Sequence, residues 1–271
     1  MARTSDQLRL IEAYQASTES LRRRVSDFVR RVWSSLGSYR DGDIARFQNA
    51  VIPVVTAGQR QMSSLTDAYL AQMASVMLGT SERPLGFKAS EIDPGSLRGV
   101  EPAEVYRRPG VTVWWSLAEG KPLSEAVEAG LRRALSLADT DLQLAKTHSA
   151  RRRLSKDERV VGYRRTLTGL ENCGLCVLAS TQRYHKGELM PIHPGCDCGV
   201  APIYGVNDPG QVLDADAVDR AHDAIAERFG KSFANGREID YRKVILVREH
   251  GEIGPVLTVK GQNFTSESDI S

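Results

Sequence analysis

Apolar residues recur at steps of three and four from the start of the chain: Leu8, Ile11, Tyr14, Thr18, Leu21, Val25, Phe28, Val32 and Leu36. This spacing sets them on one face of a helix and leaves Arg22, Arg23, Arg24, Arg30 and Arg31 mostly elsewhere. Thr4 followed by Gln7 resembles a capping box, and Gly37 is a stop signal. Such a helix cannot bury its stripe alone, so it needs neighbouring helices or another protein. Asp43 is placed to cap a second segment through Ile44, Phe47 and Val51, which the pattern predicts to be interrupted near Pro53. A further helix is predicted from about Gln59 through Leu65, Tyr69, Met73 and Met77 to Gly79, with the methionines as core filler.

From Pro84 to Gly110 the period is lost among Pro84, Gly86, Pro94, Gly95, Gly99, Pro102, Pro109 and Gly110. That texture predicts an irregular connector and a domain boundary. A long helix then resumes behind Ser124, with Glu125 and Glu128 suited to its positive end. Val127, Leu131, Leu135, Ala138, Leu142 and Ala145 carry its stripe into the basic run Arg151, Arg152, Arg153. Val160, Val161, Tyr163 and Leu167 predict a strand. The tail predicts a helix over Ala217–Phe229, then short strands at Val244–Val247 and Val256–Val259 joined across Gly251 and Gly254 as a hairpin. Ser266 to Ser271 are expected to fray.

Composition narrows the class. The 271 residues suffice for one large or two modest domains with a real core. No apolar run is long enough to span a membrane, and Arg3, Asp6, Arg9 and Glu12 stand where a signal peptide would need an apolar core. The expected compartment is therefore the cytosol, where thiols stay reduced. Residues 1–165 hold 26 Lys+Arg against 19 Asp+Glu, and residues 166–271 hold 10 against 15. A basic front and an acidic rear suit two different partner surfaces or head-to-tail self-contact.

All four cysteines fall between Cys173 and Cys198. The pattern is Cys173-Gly-Leu-Cys176, sixteen residues, then His193-Pro-Gly-Cys196-Asp-Cys198. Two sulfurs separated by two intervening residues can face one metal, and a second pair returning from a Pro-Gly turn can complete a tetrahedron. Five candidate ligands, Cys173, Cys176, Cys196, Cys198 and His193, compete for four places. Four cysteines, or three with His193 replacing Cys196 or Cys198, fill the shell, so a bound zinc would be structural and would stabilise the fold directly. The competing readings are buried reduced thiols, disulfides in a mature extracellular particle, a thioredoxin-type redox pair, and a cysteine nucleophile with His185 or His193 as base. A deaminase is excluded, because its H-x-E and P-C-x-x-C elements do not occur in the required order. His148, His222 and His250 stand alone.

The stretches Asn172-Cys-Gly-Leu-Cys176, Tyr184-His-Lys-Gly-Glu188 and Pro191-Ile-His-Pro-Gly-Cys-Asp-Cys198 resemble the signature of the phage Mu F-like minor head proteins. The resemblance covers roughly residues 119–204. It places Asp139-Thr140-Asp141 near the family's Thr-Glu position and a strand at Val200 to Tyr204. The chain departs from the family at Gly195-Cys-Asp-Cys198, where Asn-Cys-Arg-Cys is frequent, and at Ser180 to Arg183, where Asp-Gly is frequent. The resemblance implies a non-catalytic minor capsid protein of a tailed bacteriophage. It would lie inside the head near the portal, present in the host cytoplasm during assembly, and act in head assembly and in DNA packaging or ejection. Its implied partners are the portal protein, the major capsid protein, or both, and packaged double-stranded DNA, for which Arg151, Arg152 and Arg153 are the candidate contacts. The alternative is a zinc- or thiol-dependent enzyme using the same cysteine cluster.

The expected fold is therefore α+β and predominantly helical. A helical region spans 1–83, a connector 84–112, and a compact module clamped by the Cys/His cluster 113–204. An acidic helix-plus-hairpin extension spans 205–271.

Overall fold

A computed structural model describes residues 5–166, 180, 183–186, 198–205 and 245–259. Over these residues the chain is predominantly helical with a small antiparallel sheet, the α+β class that its pattern predicts. The predicted helix at Ala217–Phe229, the cap at Thr4 and the frayed end at Ser266–Ser271 lie outside the described residues.

Helix α1 spans Ser5–Ser34 and α2 spans Asp41–Leu78. A 3₁₀ turn at Ala89–Glu91 precedes the short α3, Pro94–Arg98, and α4 follows at Pro102–Ala118. Helix α5 spans Leu123–Lys156. Strands are β1 Val160–Thr166, β2 Arg183–Tyr184, β3 Gly199–Tyr204, β4 Ile245–His250 and β5 Gly254–Val259. The chain divides into two compact units, one comprising 16–67 and 85–149, the other 1–15, 68–84 and 150–271.

In the first unit the stripes of α1, α2, α4 and α5 meet in one core. Val25, Val29, Trp33, Phe47, Val51, Val55, Val113, Ala134, Ala138 and Leu142 are buried there. Burying each larger side chain contributes about 1.5–3 kcal/mol. Trp33 anchors the centre: its ring meets Phe47 edge-on at 5.1 Å, and its Nε1 donates to the Val127 carbonyl at 3.1 Å.

Pro53 does not interrupt α2, which runs unbroken through it. The apolar stripe explains this difference from expectation. Ile44, Phe47, Val51, Val55 and Met62 stay in phase across the proline and are all buried. Their packing exceeds the roughly 3 kcal/mol that an interior proline costs. Asn49, whose carbonyl loses its partner, and Pro53 itself are exposed to water. Asp43 lies inside the first turn of α2 rather than at its cap. Its carboxylate accepts from the Ser38 backbone N–H at 2.6 Å, the Tyr39 N–H at 3.0 Å and the Ser38 hydroxyl. These bonds, led by the Ser38 backbone and joined by Arg46, hold its carboxyl far below the usual carboxylate range. They also brace Tyr39, which adopts a left-handed φ of 54°.

The stretch 84–112 is not irregular throughout. Asp93 caps α3 by accepting from the Ser96 N–H at 2.9 Å, and Gly99 ends it with a φ of 68°. Pro102 opens α4 at a first-turn position, where the missing N–H costs nothing. Gly110 and Gly130 then let helices approach closely. A Cβ on Gly110 would lie 2.6 Å from Ile44, and one on Gly130 would lie 2.5 Å from Trp33 and 2.6 Å from Val113. Gly130→Val is expected to destabilise the protein by about 1–3 kcal/mol through overpacking. Thermal denaturation checks this, and a melting point equal to that of the parent would refute it.

In the second unit β1 is the central strand of the order β2-β1-β3, antiparallel to both neighbours. Tyr163 pairs with Tyr184 on one side and Pro202 on the other. β4 and β5 form the predicted hairpin, pairing Ile245 with Val259 through to His250 with Gly254. Tyr14 of α1 and Tyr69 of α2 stack at 4.2 Å in the same unit.

Candidate functional site

Of the five candidate metal ligands, Cys173, Cys176, His193 and Cys196 lie outside the described residues. Cys198 is described, and it is buried at the entrance to β3. The sheet register decides what it meets. Arg165 pairs with Val200, and Cys198 stands two residues before Val200, so both side chains lie on one face. Arg165 Nη1 donates to Cys198 Sγ at 3.0 Å. The guanidinium also lies 5.6 Å from the Tyr184 ring centroid, and that ring stacks on Tyr163 at 5.2 Å. Arg165 retains 2% of its accessible surface.

A guanidinium keeps its charge in proteins, and burying it is costly unless anionic or strongly accepting groups surround it. A sulfur carrying thiolate charge is such a group. Zinc bound by four thiolates, or by three thiolates and an imidazole, is a net anion, so a buried arginine against Cys198 suits that donor chemistry. Among the described residues no group of three His, Cys, Asp or Glu side chains converges on a point that could hold a metal. Sequence reasoning missed Arg165, although a cation in the buried phase of a strand was the available signal.

The basic run at the end of α5 does not act as one surface. Arg151 is exposed, Arg152 is half-buried and Arg153 is buried. Arg153 Nη1 donates to the Arg83 carbonyl at 2.6 Å and faces Glu82 at 3.8 Å. Arg159 bridges Glu82 at 2.7 Å and Asp157 at 2.8 Å. These ties join the chain after α2 to the end of α5, and the Tyr204 hydroxyl reaches Asp157 at 3.5 Å. Burial first, and the Asp157 charge second, push Tyr204 above the ordinary tyrosine range.

The Arg159 hydrogen bond holds both Glu82 and Asp157 below their ordinary ranges. A depressed carboxyl stabilises the fold above its unfolded-state value and ceases to as pH falls through the folded one. Amide protection over 79–84 is therefore expected to drop below about pH 4, where unfolded carboxylates take up protons. Arg159→Ala should flatten that dependence. Equal pH profiles for parent and variant in hydrogen exchange would contradict it.

A second polar constellation lies in the other unit, wholly inside the core. Arg98 Nε donates to Asp141 Oδ1 at 2.5 Å, and its Nη2 donates to the Leu137 carbonyl at 3.2 Å. The Tyr106 hydroxyl donates to Asp141 Oδ2 at 2.6 Å, and Gln59 Nε2 donates to the Asp141 carbonyl at 3.1 Å. Asp141 and Tyr106 have no exposed surface. Burial, then the Asp141 charge, raises Tyr106 well above the ordinary tyrosine range, so it remains a donor. Nearby, Arg22 makes a two-pronged bond to Asp139 at 2.6 and 2.9 Å. The Arg98–Asp141–Tyr106–Gln59 cluster pins α3 and α4 onto α5 and α2; it is a structural knot whose four residues are buried.

His148 and His185 are exposed, and His250 Nδ1 accepts from the Glu252 N–H at 3.2 Å. No helix among the described residues is long and apolar enough to cross a membrane. No protein-family model, curated protein or solved structure matches the chain.

Proposed function

We propose that this chain is a non-catalytic minor capsid protein of a tailed bacteriophage. In this reading it sits inside the head against the portal, contacts portal or major capsid subunits, and serves head assembly and DNA packaging or ejection. One observation carries the reading: the C-x2-C and His-Pro-x-Cys-x-Cys elements stand in a helix–strand–strand frame of the order the resemblance implies. Helix α5 leads into β1, and β1 pairs with β3 directly after Cys198. The buried contact of Cys198 with Arg165 supports a structural centre, because the sulfur is itself buried and lies against a buried cation.

Zinc is the proposed resident of that centre, with Cys198 one ligand and the remaining three drawn from Cys173, Cys176, Cys196 and His193. Arg151 and Arg152 remain proposed DNA contacts at the end of α5, whereas Arg153 is engaged within the fold. Co-purification tests the assembly reading. The chain co-expressed with the portal protein from its own genome should elute with it, and elution of the two as separate species at micromolar concentration would count against it.

The enzyme reading retains one supporting feature, an arginine beside a cysteine, which also suits thiol chemistry. Cys198→Ser separates the two. Loss of the folded sheet marks a structural sulfur, while an intact fold with a lost turnover marks a catalytic one.

A further inference from the structure

Every basic residue before Lys88 is an arginine. The second half of α1 sorts these arginines by face. Between Leu21 and Leu36 the exposed positions are Arg23, Arg24, Asp27, Arg30, Arg31, Ser34 and Ser35, while the apolar residues are buried or half-buried. Arg23 and Arg24 are one guanidinium pair, and Arg30 and Arg31 are another two turns later, about 10 Å along the axis. Asp27 is the acid between them. The ties on these arginines are weak surface ones: Arg23 lies 3.4 Å from Glu19, Arg24 donates to the Ser20 hydroxyl at 3.3 Å, and Arg31 lies 6.0 Å over Phe28. Exposed pairs of this kind contribute about 0–1 kcal/mol and exchange readily for a stronger anion. Arg40, in the turn that follows, is also exposed, beside the exposed Asp41.

We propose that this arginine face of α1 is a docking surface for the sugar-phosphate backbone of a nucleic acid duplex. One feature favours a duplex over an acidic protein. The face carries no exposed apolar side chain between Leu21 and Leu36, whereas a protein interface needs an apolar centre to exclude water. It is built from arginine, whose planar fork binds phosphate oxygens in pairs, on a rigid helix fixed from behind by Val25, Val29 and Trp33. Binding is to the backbone, so it does not depend on base sequence. It also stands apart from the capsid reading, since duplex binding by the purified chain neither requires nor establishes a place in a particle.

The test is fluorescence anisotropy of the full chain with a labelled random-sequence duplex of about 25 base pairs, titrated at several salt concentrations. Four phosphate contacts give a log–log salt slope near −3.6, a loss on the order of 100-fold in affinity between 50 and 200 mM salt. The substitution set R23A/R24A/R30A/R31A should keep the parent melting point, because the four side chains are exposed, and should weaken binding at 50 mM salt at least tenfold. The pairs R23A/R30A and R24A/R31A should each remove about half the slope, which keeps the test informative if the fourfold variant does not fold. R151A/R152A should leave this part of the slope in place. Absence of parent binding at 50 mM salt, or pair variants that bind with the parent slope, would overturn the proposal. So would labelled polyglutamate binding as tightly as the duplex with the same arginine dependence.

Discussion

Asp141→Ala is expected to destabilise the protein by about 3–5 kcal/mol, because it leaves the buried Arg98 guanidinium without its carboxylate. For a chain of this size that corresponds to a fall in melting temperature on the order of 10 °C. The mechanism has a signature beyond the size of the loss. Arg98 and Asp141 retain 3% and 0% of side-chain exposure, so water cannot enter to replace the missing partner without opening the core. Replacing both residues with apolar ones, as in R98M/D141L, should therefore restore much of what D141A loses. Tyr106→Phe, which deletes one donor and leaves the ion pair, should cost only about 1 kcal/mol. Tyr106 adds a base-side effect. Its folded-state ionisation is raised, so its contribution is complete below the ordinary tyrosine value and fades above about pH 10, as the unfolded chain ionises first. Chemical denaturation at pH 7 and pH 10.5 checks both points. A D141A variant within 1 kcal/mol of the parent would show that the knot is not what holds α3 and α4 in place.

The second large effect is expected at the cysteine cluster. Protein purified under reducing conditions without chelator should carry one equivalent of zinc, and removing the metal should unfold the sheet built on β1 and β3. Structural zinc sites contribute on the order of 10 kcal/mol of apparent binding free energy, more than a small three-stranded sheet has to spare. Cys198→Ser should reproduce the effect of the chelator. If zinc is held there, Arg165→Met should weaken its retention while preserving its stoichiometry, since a guanidinium would balance charge without ligating. Freshly reduced, chelator-free protein devoid of zinc would remove the metal from the account. A Cys198→Ser variant with an unchanged sheet by circular dichroism would remove Cys198 from the centre.

The elements with unbroken period were legible from sequence. The stripe from Leu8 to Val32 became α1, the run from Val127 to Ala145 became the body of α5, and both β1 and the hairpin across Gly251 and Gly254 form where the sequence predicts them. What sequence missed was tertiary. Pro53 and Pro109 read as breakers, yet each sits within a helix whose apolar side is buried, and packing overrides a local cost of about 3 kcal/mol. The core knot was partly visible. Asp141 falls in phase with Ala134, Ala138 and Ala145, so an acid occupied a core position and required a cation, but Arg98 lies 43 residues away in a stretch without period. The basic run at Arg151–Arg153 shows the converse. Its composition suggested one surface, and the carbonyl of Arg83 and the carboxylate of Glu82 divide it. Register, not composition, placed Arg165 against Cys198.

The central proposal is that the chain is an architectural part of a virion and that its thiol-bearing module would hold it together. The most direct measurement is quantitative mass spectrometry with cryo-electron microscopy on tailed-phage particles purified from a host that carries the gene. The account predicts the chain inside the head at the portal vertex, in few copies relative to the major capsid protein. Mature, DNA-filled particles that lack the chain altogether would contradict it.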